Sequence, residues 1–380
     1  MKFFHLSDLH IGKQLHLYSL KEEQRVVLNE IIQYAEKEKP QAIVIAGDVY
    51  DKSVPSAEAV AVFDEFIRGL SELSVKILVI SGNHDSPERL EFAGSLLEKQ
   101  GLYIAGLPPV KETDRIKKVV VCDEEGEVCF WLLPFLKPSY VRGLFPEKES
   151  LSYTEAVKML LEREEMNLSV RNVLVTHQFF TASGKEPLRS DSETVYVGGA
   201  GNVDISAVQN FDYVAMGHIH KAQAVGEERF RYCGTPLKYS AGESKDIKSL
   251  TVVTLGKKGE DVNIEELPLR PMRDVQQLKG RFEELIKLGT EDYVSLTLTD
   301  EKMPYQPREQ LEKVFPNILE LKVENTRTKR EISGFLKEAE QAEPCALFAN
   351  FYEEIHGIPM TEEEKKLVRE ILEKVQEDRV

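Results

Sequence analysis

Residues 42–51 read AIVIAGDVYD, and this stretch gives the main indication of the fold class. The consecutive β-branched residues Ile43, Val44 and Ile45 predict a strand that is buried on both faces. Gly47 then allows a turn, so Asp48 stands at the carboxyl end of the strand, the edge where α/β sheets collect ligands. This position predicts a chemical role for Asp48; the alternative is a cap for the next helix.

Length and charge limit the class of protein. The chain has 380 residues, 42% hydrophobic and 30% charged, which predicts a globular protein of two or three domains. The formal charge of −16 argues against a broad basic surface for nucleic acid, although a local groove or divalent cations can supply positive charge. No CxxC pair, secretion signal or membrane-length apolar run is found, so we expect a reducing cytoplasm and no membrane insertion.

Helical and strand patterns alternate along the first two thirds of the chain. Helices are predicted over 22–38, 56–73 and 153–166. The buried stripe of the second helix is predicted to be Val60, Phe63, Ile67 and Leu70. Strands are predicted at 3–6, 76–80, 118–121, 128–133, 172–175, 211–216 and 249–255. The alternation predicts an α/β domain that closes near residue 265.

Metal-type ligands follow five of these strands. Two clusters place side chains two residues apart, on one face of extended backbone, namely Asp8 and His10 in DLH and His218 and His220 in GHIH. The other clusters are Asp48 in GDVYD, Asn83 with His84 in GNHD, and His177 in TH. Each motif alone is weak, because a turn or core role is the alternative. Together they predict one metal centre.

The ligand types indicate which metal and which chemistry. The predicted ligands are Asp8, His10, Asp48, Asn83, His177, His218 and His220. Oxygen and nitrogen ligands without thiolate favour Mn²⁺ or Fe²⁺ over structural zinc or Mg²⁺. Seven ligands exceed the need of one ion, and the Asp48 carboxylate can bridge two ions about 3.5–4 Å apart, as in two-metal hydrolases. His84 is then placed to donate a proton to a departing oxygen.

The ordered set DLH, GDVYD, GNHD, TH and GHIH resembles the calcineurin-type metallophosphoesterase superfamily over residues 1 to about 240. The resemblance implies a four-layer α/β/β/α sandwich of two mixed sheets flanked by helices. It implies two Mn²⁺ ions, with Mg²⁺ or Fe²⁺ as substitutes, and His84 as the catalytic histidine, oriented by Asp51. The implied ligand sets are Asp8, His10, Asp48 and His220 for one ion, and Asp48, Asn83, His177 and His218 for the other.

Longer motifs narrow the resemblance. SDLHIGK, GDVYDKSVPS, GNHDSPERL and GTPLKYS at 234–240 are similar to a bacterial nuclease branch whose members work with an SMC-like ATPase of the SbcC type. This similarity implies a 3′–5′ exonuclease on duplex DNA and an endonuclease on single strands or hairpins, in DNA repair and recombination. It also implies a homodimer within a heterotetramer. The sequence has no nucleotide-binding P-loop, so any ATP use must come from the partner.

The pattern changes after residue 265. Strands at 293–298 and 318–323 and a helix at 307–315 predict a small α/β domain over 266–340, after a nuclease domain over 1–265. The resemblance implies a capping domain that helps to hold and choose DNA. A stabilising subdomain is the alternative.

Residues 341–380 are predicted to form two short helices. A capping box of Thr361 and Glu364 starts the second helix. Apolar residues recur at helical spacing, namely Leu347, Phe348, Phe351, Tyr352 and Ile355, then Leu367, Val368, Ile371, Leu372 and Val375. The resemblance implies that these helices dock on the ATPase; packing on the nuclease domain is the alternative.

Two other functions stay open at this point. The same five clusters serve phosphodiesterases and phosphomonoesterases that act on small molecules. Alternatively, the chain is chiefly a scaffold whose C-terminal helices recruit the ATPase. Changing the ligands would then spare its role, whereas deleting residues 346–380 would abolish it.

Overall fold

The computed structural model describes residues 1–182, 184–190, 201–326 and 344–377. Its strands are β1 (Lys2–Leu6), β2 (Gln14–Leu15), β3 (Tyr18–Ser19), β4 (Ala42–Ala46), β5 (Lys76–Ile80), β6 (Leu102–Ala105), β7 (Lys117–Asp123), β8 (Gly126–Leu133), β9 (Arg171–Thr176), β10 (Phe179–Thr181), β11 (Asn202–Asp204), β12 (Tyr213–Met216), β13 (Gln223–Val225), β14 (Glu227–Tyr232), β15 (Ser249–Thr254), β16 (Asn263–Pro268), β17 (Val275–Gly280), β18 (Tyr293–Leu298) and β19 (Ile318–Val323).

Its helices are α1 (Lys21–Glu38), α2 (Ala57–Ser71), α3 (Pro87–Leu90), α4 (Gly94–Leu97), α5 (Pro138–Val141), α6 (Tyr153–Glu162), α7 (Phe282–Leu285), α8 (Pro307–Leu311) and two C-terminal helices, Pro344–His356 and Glu362–Glu377. Short 3-10 helices occupy Glu98–Gln100, Arg142–Leu144, Ile205–Val208 and Ala241–Lys245. Among the described helices, none combines the length with the apolar character that a membrane crossing needs.

Two mixed sheets of six strands form the centre of the fold. The first has the order β16-β15-β1-β4-β5-β6, in which β1, β4, β5 and β6 are parallel and β15 pairs antiparallel with both β1 and β16. The second has the order β13-β14-β12-β9-β8-β7, in which the four inner strands are parallel. Parallel inner strands bring several carboxyl ends to one edge of each sheet, which is where the predicted ligand motifs lie.

The alternation of side chains along β4 explains the layers. Ile43 and Ile45 pack in the core shared with α1 and α2, whereas Val44 packs in the core between the two sheets. On the far side of the second sheet, Leu174 and Leu160 of α6 share a third core. β4 is therefore covered on both faces, and all of its residues are buried. The predicted four-layer α/β/β/α sandwich is confirmed.

The buried stripe of α2 differs from its prediction. Ser56 caps the helix by accepting a hydrogen bond from the Ala59 amide at 3.2 Å. Phe63 and Leu70 are buried as predicted, but Val60 is 46% exposed. Phe66 is buried instead and centres the stripe, so Val60 lies on the flank of the helix.

The chain divides into two compact units. The first comprises Met1–Gln277, Thr290–Ser295 and Phe315–Leu319 and contains both six-stranded sheets. The second comprises the described parts of Leu278–Gly289, Leu296–Val314 and Glu320–Val380, with α7, α8 and the C-terminal helices. β17, β18 and β19 form a three-stranded sheet. The predicted domain boundaries near residues 265 and 340 stay a prediction.

The C-terminal helices carry exposed apolar side chains. The predicted capping box is confirmed, because Glu364 accepts from the Thr361 amide at 2.8 Å and the Thr361 hydroxyl accepts from the Glu364 amide at 3.3 Å. The large apolar side chains exposed here are Leu347, Phe348, Phe351, Ile355, Leu367 and Ile371. The side chains of Leu372 and Val375, which belong to the predicted stripe, lie outside the described residues.

Candidate metal centre

The predicted ligands lie where parallel strands end. The first sheet contributes Asp8 and His10 after β1, Asp48 after β4 and Asn83 after β5. The second sheet contributes His177 after β9, and His218 and His220 after β12. The aspartates and histidines are buried and Asn83 is half-buried. The fold therefore brings all seven residues into one cluster between the ends of the two sheets.

The backbone at these strand ends is strained in a way that directs the side chains. Asp8, Asp48 and His218 have φ of 51°, 49° and 102°, which is uncommon for residues other than glycine. Such conformations cost about 1–3 kcal/mol each and persist only where surrounding contacts enforce them. Here the Asp8 amide donates to the Gly47 carbonyl at 3.0 Å, and the His218 amide donates to the Asp8 carboxylate at 3.0 Å.

Two glycines let the strand ends approach each other. A methyl group at Gly82 would lie 2.1 Å from Asp48 Oδ1, and one at Gly217 would lie 2.0 Å from the Ala46 carbonyl oxygen. These distances are well inside van der Waals contact, so only glycine fits at either position.

The first ligand set surrounds His10. Its Nε2 lies 3.3 Å from His220 Nε2, 3.7 Å from Asp48 Oδ2 and 4.0 Å from Asp8 Oδ1. One ligand atom each from Asp8, His10 and His220 lie within 4.8 Å of one another. The set predicted for one ion, Asp8, His10, Asp48 and His220, is thus brought together.

The second set surrounds His177. Its Nε2 lies 3.3 Å from Asp48 Oδ2 and 3.2 Å from Asn83 Oδ1, and His218 Nδ1 lies 2.8 Å from the same Asn83 oxygen. Asp48 Oδ2 therefore lies near a histidine of each set. Asp8 also reaches this set, with Oδ1 at 3.9 Å from His177 Nε2, a contact that no sequence motif indicated.

The electrostatics of the cluster suit cations. Burial and the neighbouring Asp48 carboxylate raise the pKa of Asp8, which His177 partly offsets. Burial opposes ionisation of Asp48 as well, but His177, His10 and His84 together outweigh it and hold the pKa of Asp48 well below its usual range. Burial would lower the pKa of His177, yet the Asp48 charge raises this pKa to about 9. Burial lowers the pKa of His218 to about 3 and that of His10 well below its ordinary value.

These residues fit a pair of divalent cations. Neutral His10 and His218 imidazoles offer lone pairs, and His177 donates Nδ1–H to the Ala46 carbonyl at 2.7 Å, so its Nε2 becomes available to a metal when the proton favoured by the raised pKa is displaced. Two carboxylates face the same buried space, where their like charges need compensation. The oxygen and nitrogen donors contain no thiolate, which suits Mn²⁺ or Fe²⁺.

His84 lies at the open side of the cluster. Its side chain is 32% exposed, and its Nε2 is 4.0 Å from Asp48 Oδ2. The His84 amide donates to Asp48 Oδ1 at 2.8 Å, and Nδ1 donates to the main-chain carbonyl of Asp51 at 3.0 Å. The Asp51 carboxylate contacts other groups, namely Lys13 Nζ at 2.8 Å and His10 Nδ1 at 3.9 Å. Asp51 therefore touches His84 through its backbone.

Asp85 is a structural residue of the site that was not predicted from the sequence. Its buried carboxylate accepts hydrogen bonds from the amides of Gly82 at 2.9 Å, Tyr50 at 2.9 Å and Val49 at 3.1 Å. Asp85 thus ties the GNHD loop to the GDVYD loop. Burial and the charge of Asp48 raise the pKa of Asp85 to about 6. The sequence signal for this role was the aspartate at the end of the GNHD motif, Asp85 itself.

Comparisons with known proteins agree with this geometry. Residues 1–222 match the family model described as calcineurin-like phosphoesterase, and residues 271–356 match the model described as type 5 capsule protein repressor C-terminal domain. The SbcD subunit of the nuclease SbcCD from Staphylococcus epidermidis is 33% identical over 328 residues, covering 84% of this chain and 85% of that protein. Its counterpart from Staphylococcus saprophyticus is 29% identical over 381 residues and covers 98% of each chain.

Solved structures with some similarity include a dimetal phosphatase from Danio rerio, with a TM-score of 0.41 and 14% identity, covering 71% of this chain and 96% of that one. A second is TT1561 of Thermus thermophilus, with a TM-score of 0.38 and 16% identity, covering 70% and 98%. The family assignment depends instead on the sequence relatives and the family models. On that basis, the chain belongs to the calcineurin-like phosphoesterase family, in the branch of SbcD relatives.

Proposed function

We propose that the chain is a DNA nuclease that hydrolyses phosphodiester bonds at a centre of two Mn²⁺ ions. The observation that carries the proposal is the convergence of two ligand sets that share Asp48, with His84 at their open side. In the proposed assignment the first ion is held by Asp8, His10, Asp48 and His220. The second is held by Asp48, Asn83, His177 and His218.

Two divalent cations bound here would polarise a phosphoryl oxygen and make water nucleophilic near neutral pH. The chain's own contribution to leaving-group departure is His84. Its Nδ1–H is engaged by the Asp51 carbonyl, so Nε2 is the nitrogen free to carry the second proton of an imidazolium. We assign to His84 the transfer of that proton to the departing oxygen, after which neutral imidazole remains.

DNA as the substrate is supported by the two staphylococcal relatives, both named as parts of a nuclease. We propose 3′–5′ exonuclease activity on duplex ends and endonuclease activity on single strands or hairpins, in DNA end processing, repair and recombination. The formal charge of −16 means that cations at the centre and a local basic groove must offset phosphate repulsion.

Partnership with an SbcC-type ATPase completes the proposal. The relatives' names place them in a complex called SbcCD. The C-terminal helices Pro344–His356 and Glu362–Glu377 expose apolar side chains suited to a partner helix. We propose that these helices dock on the ATPase, that ATP dependence comes from it, and that a nuclease homodimer forms part of a cytoplasmic heterotetramer. The domains would be a nuclease domain (1–265), a capping domain (266–340) and a docking segment (341–380).

The test is cleavage of end-labelled duplex and hairpin DNA by the purified chain with Mn²⁺, beside an aryl phosphodiester. We expect Mn²⁺-dependent DNA cleavage, and a loss of about 10²–10⁴-fold in the His84→Ala variant, because general acid catalysis typically contributes that factor. Metal analysis should find two ions per chain in both proteins.

Two results would contradict the proposal. Turnover of the aryl ester without DNA cleavage, even after addition of an SbcC-type ATPase and ATP, would make the chain a small-molecule phosphodiesterase. Cleavage of DNA by the His84→Ala variant at the wild-type rate would show that a group other than His84 donates the proton.

A further inference from the structure

A buried ion pair lies directly behind His220. Glu243 follows the GTPLKYS segment in the 3-10 helix Ala241–Lys245 and is 1% exposed, and Lys248 precedes β15 and is 7% exposed. Lys248 Nζ lies 2.7 Å from Glu243 Oε2. Neither residue was predicted from the sequence, since no ligand motif contains them.

The pair contacts His220 at two places. Glu243 Oε1 lies 3.8 Å from Nδ1 of the imidazole, the nitrogen that faces away from the cluster. Lys248 Nζ donates a hydrogen bond to the main-chain carbonyl of His220 at 3.0 Å. The opposite ring nitrogen, Nε2, faces His10 Nε2 at 3.3 Å. The imidazole thus stands between the ion pair and the metal ligands.

The carboxylate itself is held in place from several sides. Ser240 Oγ donates to Glu243 Oε1 at 3.1 Å, and the Tyr239 amide donates to Oε2 at 3.3 Å. The Tyr239 ring packs edge-on against the His220 ring, with centroids 6.0 Å apart. A ring supported in this manner has little freedom to rotate away from the cluster.

We propose that Glu243 and Lys248 are positioning residues that orient the His220 imidazole toward its ion. A histidine that binds a metal through one nitrogen carries its proton on the other, and a carboxylate facing that proton sets the tautomer and raises ligand basicity. Lys248 keeps the buried carboxylate neutralised and at the same time anchors the His220 backbone. This inference rests on the proposed metal-dependent function.

The purely structural alternative is an ion pair that only stabilises the fold. Two variants separate the alternatives. Glu243→Gln removes the charge and keeps the shape, but leaves the buried Lys248 with only the more distant Asp246 carboxylate, 4.0 Å from Nζ. The double variant Glu243→Gln/Lys248→Met removes both charges, so the fold recovers stability while the carboxylate contact to His220 stays absent.

The measurement is Mn²⁺ titration of the full-length protein by calorimetry, with electron paramagnetic resonance to separate paired from single ions. We expect both variants to bind one of the two ions about 10–100-fold more weakly than wild type, the usual cost of losing such an outer contact. At intermediate Mn²⁺ the paired-ion spectrum should give way to a single-ion spectrum. The double variant should show this loss even where its melting temperature matches wild type.

Glu23→Gln is the control, because Glu23 is also 1% exposed and its ion-pair partner is Arg273, which is not a predicted ligand. We expect Glu23→Gln to lower the free energy of unfolding and to leave the affinity for both Mn²⁺ ions unchanged. Wild-type affinity for both ions in the folded double variant would overturn the positioning role. If wild-type protein itself takes up no pair of ions, the proposed function fails and not merely this inference.

Discussion

At the scale of single residues, Asp51 shows how a side chain and its backbone can have separate roles. The resemblance implied that Asp51 orients His84. The contact to His84 Nδ1 is made by the Asp51 carbonyl oxygen, whereas the carboxylate pairs with Lys13. The orienting role of Asp51 stays a prediction, and the structure suggests that it belongs to the main chain.

Replacing the Asp51 carboxylate should therefore cost little catalysis. At saturating Mn²⁺, which offsets any effect of losing the carboxylate near His10 Nδ1, we expect Asp51→Asn to lower kcat by less than about tenfold, or less than about 1.4 kcal/mol in activation free energy, because the carbonyl acceptor remains. His84→Ala, in parallel, should lose about 10²–10⁴-fold. Steady-state kinetics on the aryl phosphodiester measure both. Equal losses in the two variants would assign the orienting role to the carboxylate.

At the scale of elements, the orientation of the predicted ligands is set by the turns that follow the strands more than by the strands themselves. β4, β5 and β12 supply a rigid edge, and the predicted ligands after them are directed by turns in which Gly47, Gly82 and Gly217 allow close approach. Such turns should tolerate no added atom.

Gly217→Ala tests this expectation. The added methyl would meet the Ala46 carbonyl at 2.0 Å and His177 Nδ1 at 2.6 Å, so the turn after β12 must shift. We expect a loss of about 1–3 kcal/mol in the free energy of unfolding, as for overpacked sites, together with weaker Mn²⁺ binding. Gly143→Ala is the control, since nothing lies within 4 Å of its added methyl. Unchanged metal binding in Gly217→Ala would refute the argument.

Also at the scale of elements, an ion pair and its hydrogen bond join three strands of the second sheet. Arg171, at the start of β9, pairs with Asp123, at the end of β7, and also donates to the Gly126 carbonyl of β8 at 2.8 Å. The Arg171 guanidinium holds the pKa of Asp123 well below its usual range. The ion pair thus stabilises the folded state above the unfolded aspartate pKa of about 3.9, and this contribution is lost as pH falls through the lower folded pKa.

We expect Asp123→Asn to lower the free energy of unfolding by about 2–3 kcal/mol at pH 7, below the roughly 3–5 kcal/mol for a fully buried pair because Asp123 is partly exposed. The difference from wild type should begin to shrink as pH falls below about 3.9, because the aspartate of the unfolded wild-type chain then binds a proton, whereas the folded state binds it only at lower pH. Urea unfolding at pH 7, 5 and 3.5 measures this, with the exposed Asp261→Asn as control. A constant difference across that pH range would rule out the ion pair as the cause.

At the scale of the whole molecule, the chain combines a buried cluster of candidate metal ligands with C-terminal helices that expose apolar side chains. Phe351 and Leu168 are both 57% exposed, but Phe351 lies in the helix Pro344–His356 proposed to dock on the ATPase. This equality of exposure makes them a matched pair for mutation.

Phe351→Asp should weaken association with an SbcC-type ATPase by about thirtyfold or more in Kd, since a charge in an apolar helical contact typically costs about 2 kcal/mol or more. Leu168→Asp should leave it intact. Binding by calorimetry or gel filtration checks this, and Mn²⁺-dependent turnover of the aryl ester should be unchanged in both variants. Undiminished association of Phe351→Asp would remove the helix Pro344–His356 from the docking surface.

The sequence by itself determined the strands and the motifs that end them. The apolar run of Ile43–Ile45 specifies a doubly buried strand through local periodicity, and a polar residue placed just after such a run must appear at a sheet edge. Only the tertiary structure decided which ends meet. His10 and His220, 210 residues apart, face each other at 3.3 Å, and Glu243 stands behind His220, because sheet order and packing, not local pattern, set such contacts. The prediction that Val60 is buried was wrong for the same reason, because the elements that pack against a helix decide which of its faces is buried.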